Sequence, residues 1–161
     1  MRKLWIIIAV SVIAADQITK AIIANHFAFG DSVVVTSFFD LVLAYNTGAA
    51  FSFLSDAGGW QRWFFTTIAA IASVVIVHFL RKHADEPRFC TALSLILGGA
   101  LGNLIDRILL GHVIDFLYFH IGRYGWPAFN VADSAITIGA AILIWESFHS
   151  KAAKTIPHEL R

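Results

Sequence analysis

The sequence predicts an α-helical polytopic membrane protein: four transmembrane helices and a small extracytoplasmic β-rich loop region. Three observations predict it. Of 161 residues, 58% are hydrophobic and only 14% charged, whereas a soluble domain usually carries about a quarter charged residues. Four apolar runs, at about 4–24, 60–80, 92–110 and 129–148, each approach the roughly 20 residues that cross a hydrocarbon core. The basic residues are also segregated between the two sides that these runs define.

The first run begins Met1-Arg2-Lys3 and continues through residues 4–15. A basic start and a short apolar stretch imitate a secretory signal. The apolar pattern passes beyond Asp16 and Gln17 into residues 18–24, so an uncleaved span is expected. The second and third runs are separated by Arg81-Lys82-His83-Ala84-Asp85-Glu86-Pro87-Arg88, read as a short polar turn containing a helix-stopping proline. The fourth opens at Phe129. The chain is read as one membrane-embedded domain over 1–161, and a monomer is expected.

Orientation follows the positive charges. Arg2, Lys3, Arg81, Lys82, Arg88, Lys151, Lys154 and Arg161 fall on one side, eight of the twelve. Residues 25–59 hold Asp31, Asp40 and Asp56 and no Lys or Arg before the second span. Both termini are expected in the cytoplasm, with loops 25–59 and 111–128 outside. Val33-Val34-Val35 and residues 38–45, after a Gly30-Asp31 turn signal, read as short strands. This apolar sheet is expected to rest on the membrane surface.

Composition also excludes function classes. A net charge of +1 gives no footprint for nucleic acid. The single cysteine, Cys90, excludes a disulfide framework and reads as a small packing residue.

Ionisable groups inside a span cost about 2.5–3.5 kcal/mol on insertion scales, and they persist where they have a partner or a task. Asp16, Lys20, Asn103, Asp106, Arg107 and Asp133 are of this kind, with Asp115 just beyond the third span. At 1.5 Å per residue, Asp16, Asp106 and Asp133 lie about 18–22 Å from the inner ends of their helices. Three helices thus bring carboxylates to one level. Asp16 and Lys20, spaced i,i+4, share a face and read first as a neutralising ion pair. Asn103 and Asp106 also share a face, while Arg107 points elsewhere. Gly98 and Gly102 have the small-xxx-small spacing of a close helix seam.

Two carboxylates suit hydrolysis. In a low-dielectric pocket they do not readily both ionise, so one serves as base while the other keeps its proton. Asp115, ending an outer loop segment, and Asp133, opening a helix, lie where water and an extended substrate meet. A dipole-favoured charge at a helix start is the plainer reading of Asp133. Ser134 has no histidine within its half of the span to activate it. His26, His112 and His120 lack metal-ligand spacing, and no metal or cofactor is expected. A transporter would spread its polar groups along the depth, and a purely structural subunit would leave them unexplained.

Five motifs, Asp16-Gln17-x-x-Lys20, Asn46-Thr47-Gly48-Ala49-Ala50-Phe51, Gly98-Gly99-Ala100-x-Gly102-Asn103-x-x-Asp106-Arg107, Val113-Ile114-Asp115-Phe116 and Phe129-Asn130-Val131-Ala132-Asp133, occur in this order. In this the chain closely resembles the bacterial lipoprotein signal peptidases, signal peptidase II. The resemblance implies an aspartyl endopeptidase of the bacterial inner membrane. Such enzymes remove signal peptides from prolipoproteins, cutting before a diacylglyceryl-modified cysteine. It implies Asp115 and Asp133 as the catalytic pair. It implies Asp16, Lys20, Asn46, Gly48, Ala50, Asn103, Asp106, Arg107, Asn130 and Ala132 as residues that bind substrate or support the site. The implied partners are those prolipoproteins and membrane lipid. Strand-like contacts from residues 33–53, with an amide from Asn46, are expected to cradle the peptide.

Overall fold

Apolar runs of about twenty residues can satisfy their backbone in lipid only as helices. In a computed structural model, which describes residues 2–48 and 58–154, they do so. Helices α1 (Arg2–His26), α2 (Trp60–Lys82), α3 (Pro87–Leu109) and α4 (Val131–Lys154) are each long and apolar enough to span a membrane. Between them run β1 (Ser32–Thr36), β2 (Phe39–Asn46), β3 (Val113–Ile121) and β4 (Tyr124–Gly125). The four strands form one antiparallel sheet in chain order at the end of the bundle away from the termini.

Helix α3 is the centre of the bundle, packed against α1, α2 and α4. Its small residues permit this. A Cβ on Gly102 would lie 2.7 Å from Asp16 Oδ2, and one on Gly99 would meet the Ala132 carbonyl oxygen. Gly98 and Gly102 both face α1, as their spacing predicts. Near the termini, Ala9, Ile76, Leu93 and Leu97 form a core of α1, α2 and α3. At the other end Ile23, Leu43, Ile114 and Phe116 seat the sheet on α1.

The structure corrects three sequence expectations. Pro87 starts α3 rather than separating it from α2, because proline at the first helical position gives up only an amide that has no partner there. Helix α4 begins at Val131 and not at Phe129, which instead bridges Leu117 of the sheet. Residues 111–128 are not simply a loop, since β3 occupies nine of them. Val113, Ile114, Asp115 and Phe116 are all buried, so the first half of β3 lacks the alternation that marks a half-exposed strand.

Register completes the placement. Ala44 faces Asp115 and Leu41 faces Leu117, so β2 bulges opposite Phe116. A bulge re-aims neighbouring side chains, and this one adjoins Asp115.

Candidate active site

A buried ammonium must find acceptors for its three protons. Lys20 is 2% exposed, and its Nζ lies 2.8 Å from Asp16 Oδ2, 2.9 Å from Asp106 Oδ2 and 2.9 Å from Asn103 Oδ1. The count closes. Asp16 Oδ1 accepts the Ala132 N–H at 2.9 Å, and Asp106 Oδ2 accepts the Ile114 N–H at 3.1 Å. One ion cluster thus ties α1 to α3, to the start of α4 and to β3. The expected pairing of Asp16 with Lys20 is present, enlarged by a second carboxylate.

Gln17 belongs to this cluster, although the sequence set it among no site residues. Its Nε2 donates to Asp106 Oδ1 at 2.8 Å and also lies within reach of Asp16 Oδ2 and the Gly102 carbonyl. The available signal was its polarity within an apolar span.

Asn103 carries the network onward. While Oδ1 faces Lys20, Nδ2 donates to Asp133 Oδ1 at 2.8 Å. Asn130, fully buried, serves both acidic residues. Its Nδ2 donates to Asp115 Oδ1 at 2.7 Å, and its backbone N–H donates to Asp133 Oδ2 at 3.3 Å. Asp115 Oδ2 accepts from Asn46 Nδ2 at 3.0 Å. The two carboxyls therefore meet at a single asparagine.

Their surroundings differ. Asp115 is 3% exposed. Burial, with the nearby Asp133 charge adding to it, pushes its carboxyl up to about 7, despite the opposing hydrogen bonds from Asn46 and Asn130. Asp133 is half-buried in the wall of a cavity of about 480 Å³. That cavity is also lined by Asn46, residues 126–129, Ser134, Thr137 and Ile138. A carboxyl near neutrality beside one that reaches an open cavity is an acid–base pair in geometry.

Arg107 points away from the Lys20 cluster, as its place on the helix requires. Its Nη2 donates to the Gly48 carbonyl at 3.0 Å, and its guanidinium lies over the Phe65 ring. Gly48 N–H in turn donates to Asn46 Oδ1, which orients the amide that reaches Asp115. Arg62, absent from the sequence reading of the site, donates to the Arg107 and Ile108 carbonyls at the end of α3. Ala50 lies outside the described residues. The other ten supporting and acidic residues named from sequence, and Asp115 itself, fall in one connected array.

Ser134 Oγ is engaged with the Asn130 carbonyl. The three histidines of the sheet end are dispersed: His26 bonds the Ile22 carbonyl, His112 meets the Tyr45 ring at a tilt and His120 contacts Asp40.

The chain is similar to known proteins in both sequence and fold. The profile of the family described as signal peptidase (SPase) II matches residues 8–149. A lipoprotein signal peptidase of Paraburkholderia phymatum is 59% identical over 142 residues, covering 88% of this chain and 86% of its own. One from Azoarcus sp. (strain BH72) is 50% identical over 141 residues, covering 88% and 80%. A solved bacterial membrane enzyme superposes with a TM-score of 0.87 at 38% identity, over 97% of this chain and 94% of that one. A second such structure gives 0.78 at 40% identity, over 89% and 92%.

Proposed function

The chain belongs to the signal peptidase II family, and from that premise we propose an aspartic endopeptidase that removes signal peptides from prolipoproteins. Its cut falls just before a diacylglyceryl-modified cysteine. One observation supports the aspartic assignment: Asn130 donates to both Asp115 and Asp133, which holds the two carboxyls at one asparagine.

The chemistry follows from a shared proton. With Asp115 pushed up to about 7 by burial, the pair shares one proton near neutral pH, leaving one carboxyl protonated and the other ionised. The ionised carboxylate takes a proton from water as its oxygen attacks the scissile carbonyl carbon. The protonated carboxyl donates to the carbonyl oxygen, where negative charge develops. Collapse of the tetrahedral intermediate breaks the C–N bond, and the proton passes to the leaving amine. Either carboxyl can begin as the acid, because the pair titrates as a unit.

Lys20, Asp16, Asp106 and Asn103 support this pair rather than react. They fix Asp133 through Asn103 and β3 through Ile114. Asn46, Gly48 and Arg107 shape the approach over Asp115. Of the stretch 33–53 expected to cradle the peptide, residues 49–53 lie outside the described residues, and β1 and β2 offer strand-like contacts to an extended peptide.

Orientation is supported by the basic residues gathered at the terminus-bearing end. Both termini then lie in the cytoplasm of the bacterial inner membrane, and the acidic pair lies near the outer face. A signal peptide's apolar helix and the substrate's diacylglyceryl chains both favour lipid, which brings the bond to be cut to that depth.

The test is to incubate the reconstituted protein with a diacylglyceryl-modified prolipoprotein and its unmodified twin, and to map products by mass spectrometry. The modified substrate should yield one product beginning at the lipid-bearing cysteine. Equal cutting of the unmodified twin, or a cut elsewhere, contradicts the assignment.

A further inference from the structure

At the end of the bundle opposite the acidic pair, α1 and α2 diverge against α3 and leave a cavity of about 520 Å³. Trp5 and Ile6 of α1, Val77, Leu80 and Arg81 of α2 and Leu97 of α3 line it. A second cavity of about 450 Å³ shares Val77, Arg81 and Leu97 and extends along α2 to Ser73. The eight-residue step from Ser73 to Arg81 corresponds to about 12 Å of helix. The two form a branched apolar space with one cation at its rim.

Two polar groups lining this space have no partner among the described residues. Trp5 is 4% exposed, yet its indole N–H meets no acceptor among the described residues. An indole nitrogen can only donate, and a buried donor left unpaired is costly. Arg81 is exposed and makes no ion pair among the described residues. Lys3 and Lys82 stand one or two residues away along the same helix ends, so the local field favours an anion. The feature thus combines an orphan donor, an unpaired guanidinium and an apolar cleft long enough for acyl chain.

We propose that this is a binding site for one anionic phospholipid. Its phosphodiester oxygens accept from the Arg81 guanidinium and the Trp5 N–H. Its acyl chains occupy the two cavities along α2. The headgroup charge is met by a basic helix end, as in other phospholipid pockets between helices.

Native mass spectrometry of the delipidated full chain in detergent tests this with three probes: dioleoylphosphatidylglycerol, dioleoylglycerol and inorganic phosphate. The expected result is retention of one phosphatidylglycerol, little dioleoylglycerol at the same concentration, and no displacement by inorganic phosphate. Trp5→Phe keeps the aromatic bulk and removes the donor. Arg81→Gln removes the charge from an exposed side chain in the last turn of α2 and leaves Lys82 to face the helix dipole. Each should weaken phosphatidylglycerol binding about tenfold, the usual effect of losing a hydrogen bond to a charged group. Equal retention by either variant overturns the proposal. Equal binding of dioleoylglycerol shows an apolar cleft without headgroup recognition and also overturns it. Displacement by inorganic phosphate shows a free-anion site instead, with the same consequence.

Discussion

Asn130 and Asp133 hold each other at the start of α4: Asn130 Oδ1 accepts the Asp133 N–H at 2.9 Å, and Asp133 Oδ2 accepts the Asn130 N–H at 3.3 Å. This is a capping box with asparagine in the cap and aspartate three residues on. It uses only one end of the asparagine side chain. The amide nitrogen is left to reach Asp115 on β3, so the cap that starts the helix also sets the distance between the two acids.

Asn130→Ala is therefore expected to do two separable things. Loss of the cap should cost about 0.5–2 kcal/mol of stability. Loss of the link between the acids should lower kcat at least about a hundredfold, as displacements near 1 Å do at reacting groups. Thermal unfolding in detergent reads the first and single-turnover cleavage the second. A variant that unfolds earlier but cleaves at the full rate would show that the link is only structural.

Lys20→Met leaves Asp16 and Asp106 buried without their shared cation. Removing one partner of a buried ion cluster costs about 3–5 kcal/mol, and here Asp16 is fully buried and Asp106 2% exposed. A large drop in melting temperature is expected. Adding Asp16→Asn and Asp106→Asn should recover part of it, because the uncompensated charges are removed with their partner. An unchanged melting temperature in the single variant would contradict the cluster.

The pH dependence has a defined sign. Burial raises the Asp115 carboxyl to about 7 from its ordinary value near 3.8. The folded form then binds an extra proton between those values. Stability from this group is fully present below about 4 and is lost as pH rises through about 7. Cleavage, which needs one proton on the pair, should also decline above about 7. Unfolding midpoints from pH 4 to 8 should fall in the native chain, and this component should be missing in Asp115→Asn. A variant with the same slope would place the titration elsewhere.

The bundle was legible because span length and charge placement are read directly from residues. β1 and β2 were legible too, since Val33-Val34-Val35 and residues 38–45 are rich in strand-forming side chains after a turn. β3 was not, because helices cover the first half of it and remove its alternation, so Asp115 read as the end of a loop. The ion cluster was visible in part: spacing paired Asp16 with Lys20 and set the second carboxylate, Asp106, at their depth. That Asp106 shares Lys20, that Gln17 bridges the two acids and that Arg62 closes the end of α3 depend on how helices approach, which spacing within one helix does not contain. Asn130 entered only through the motif around it, and its double bonding required the sheet to be in place.

The central claim is that Asp115 and Asp133 together hydrolyse the peptide bond. Its most direct measurement is single-turnover cleavage of a diacylglyceryl-modified prolipoprotein by Asp115→Asn and Asp133→Asn, with folding followed by thermal melting. Each variant should fold and bind substrate, and each should lose at least about three orders of magnitude in rate, the scale on which acid–base groups that act together fail. Native cleavage by either folded variant would contradict the claim.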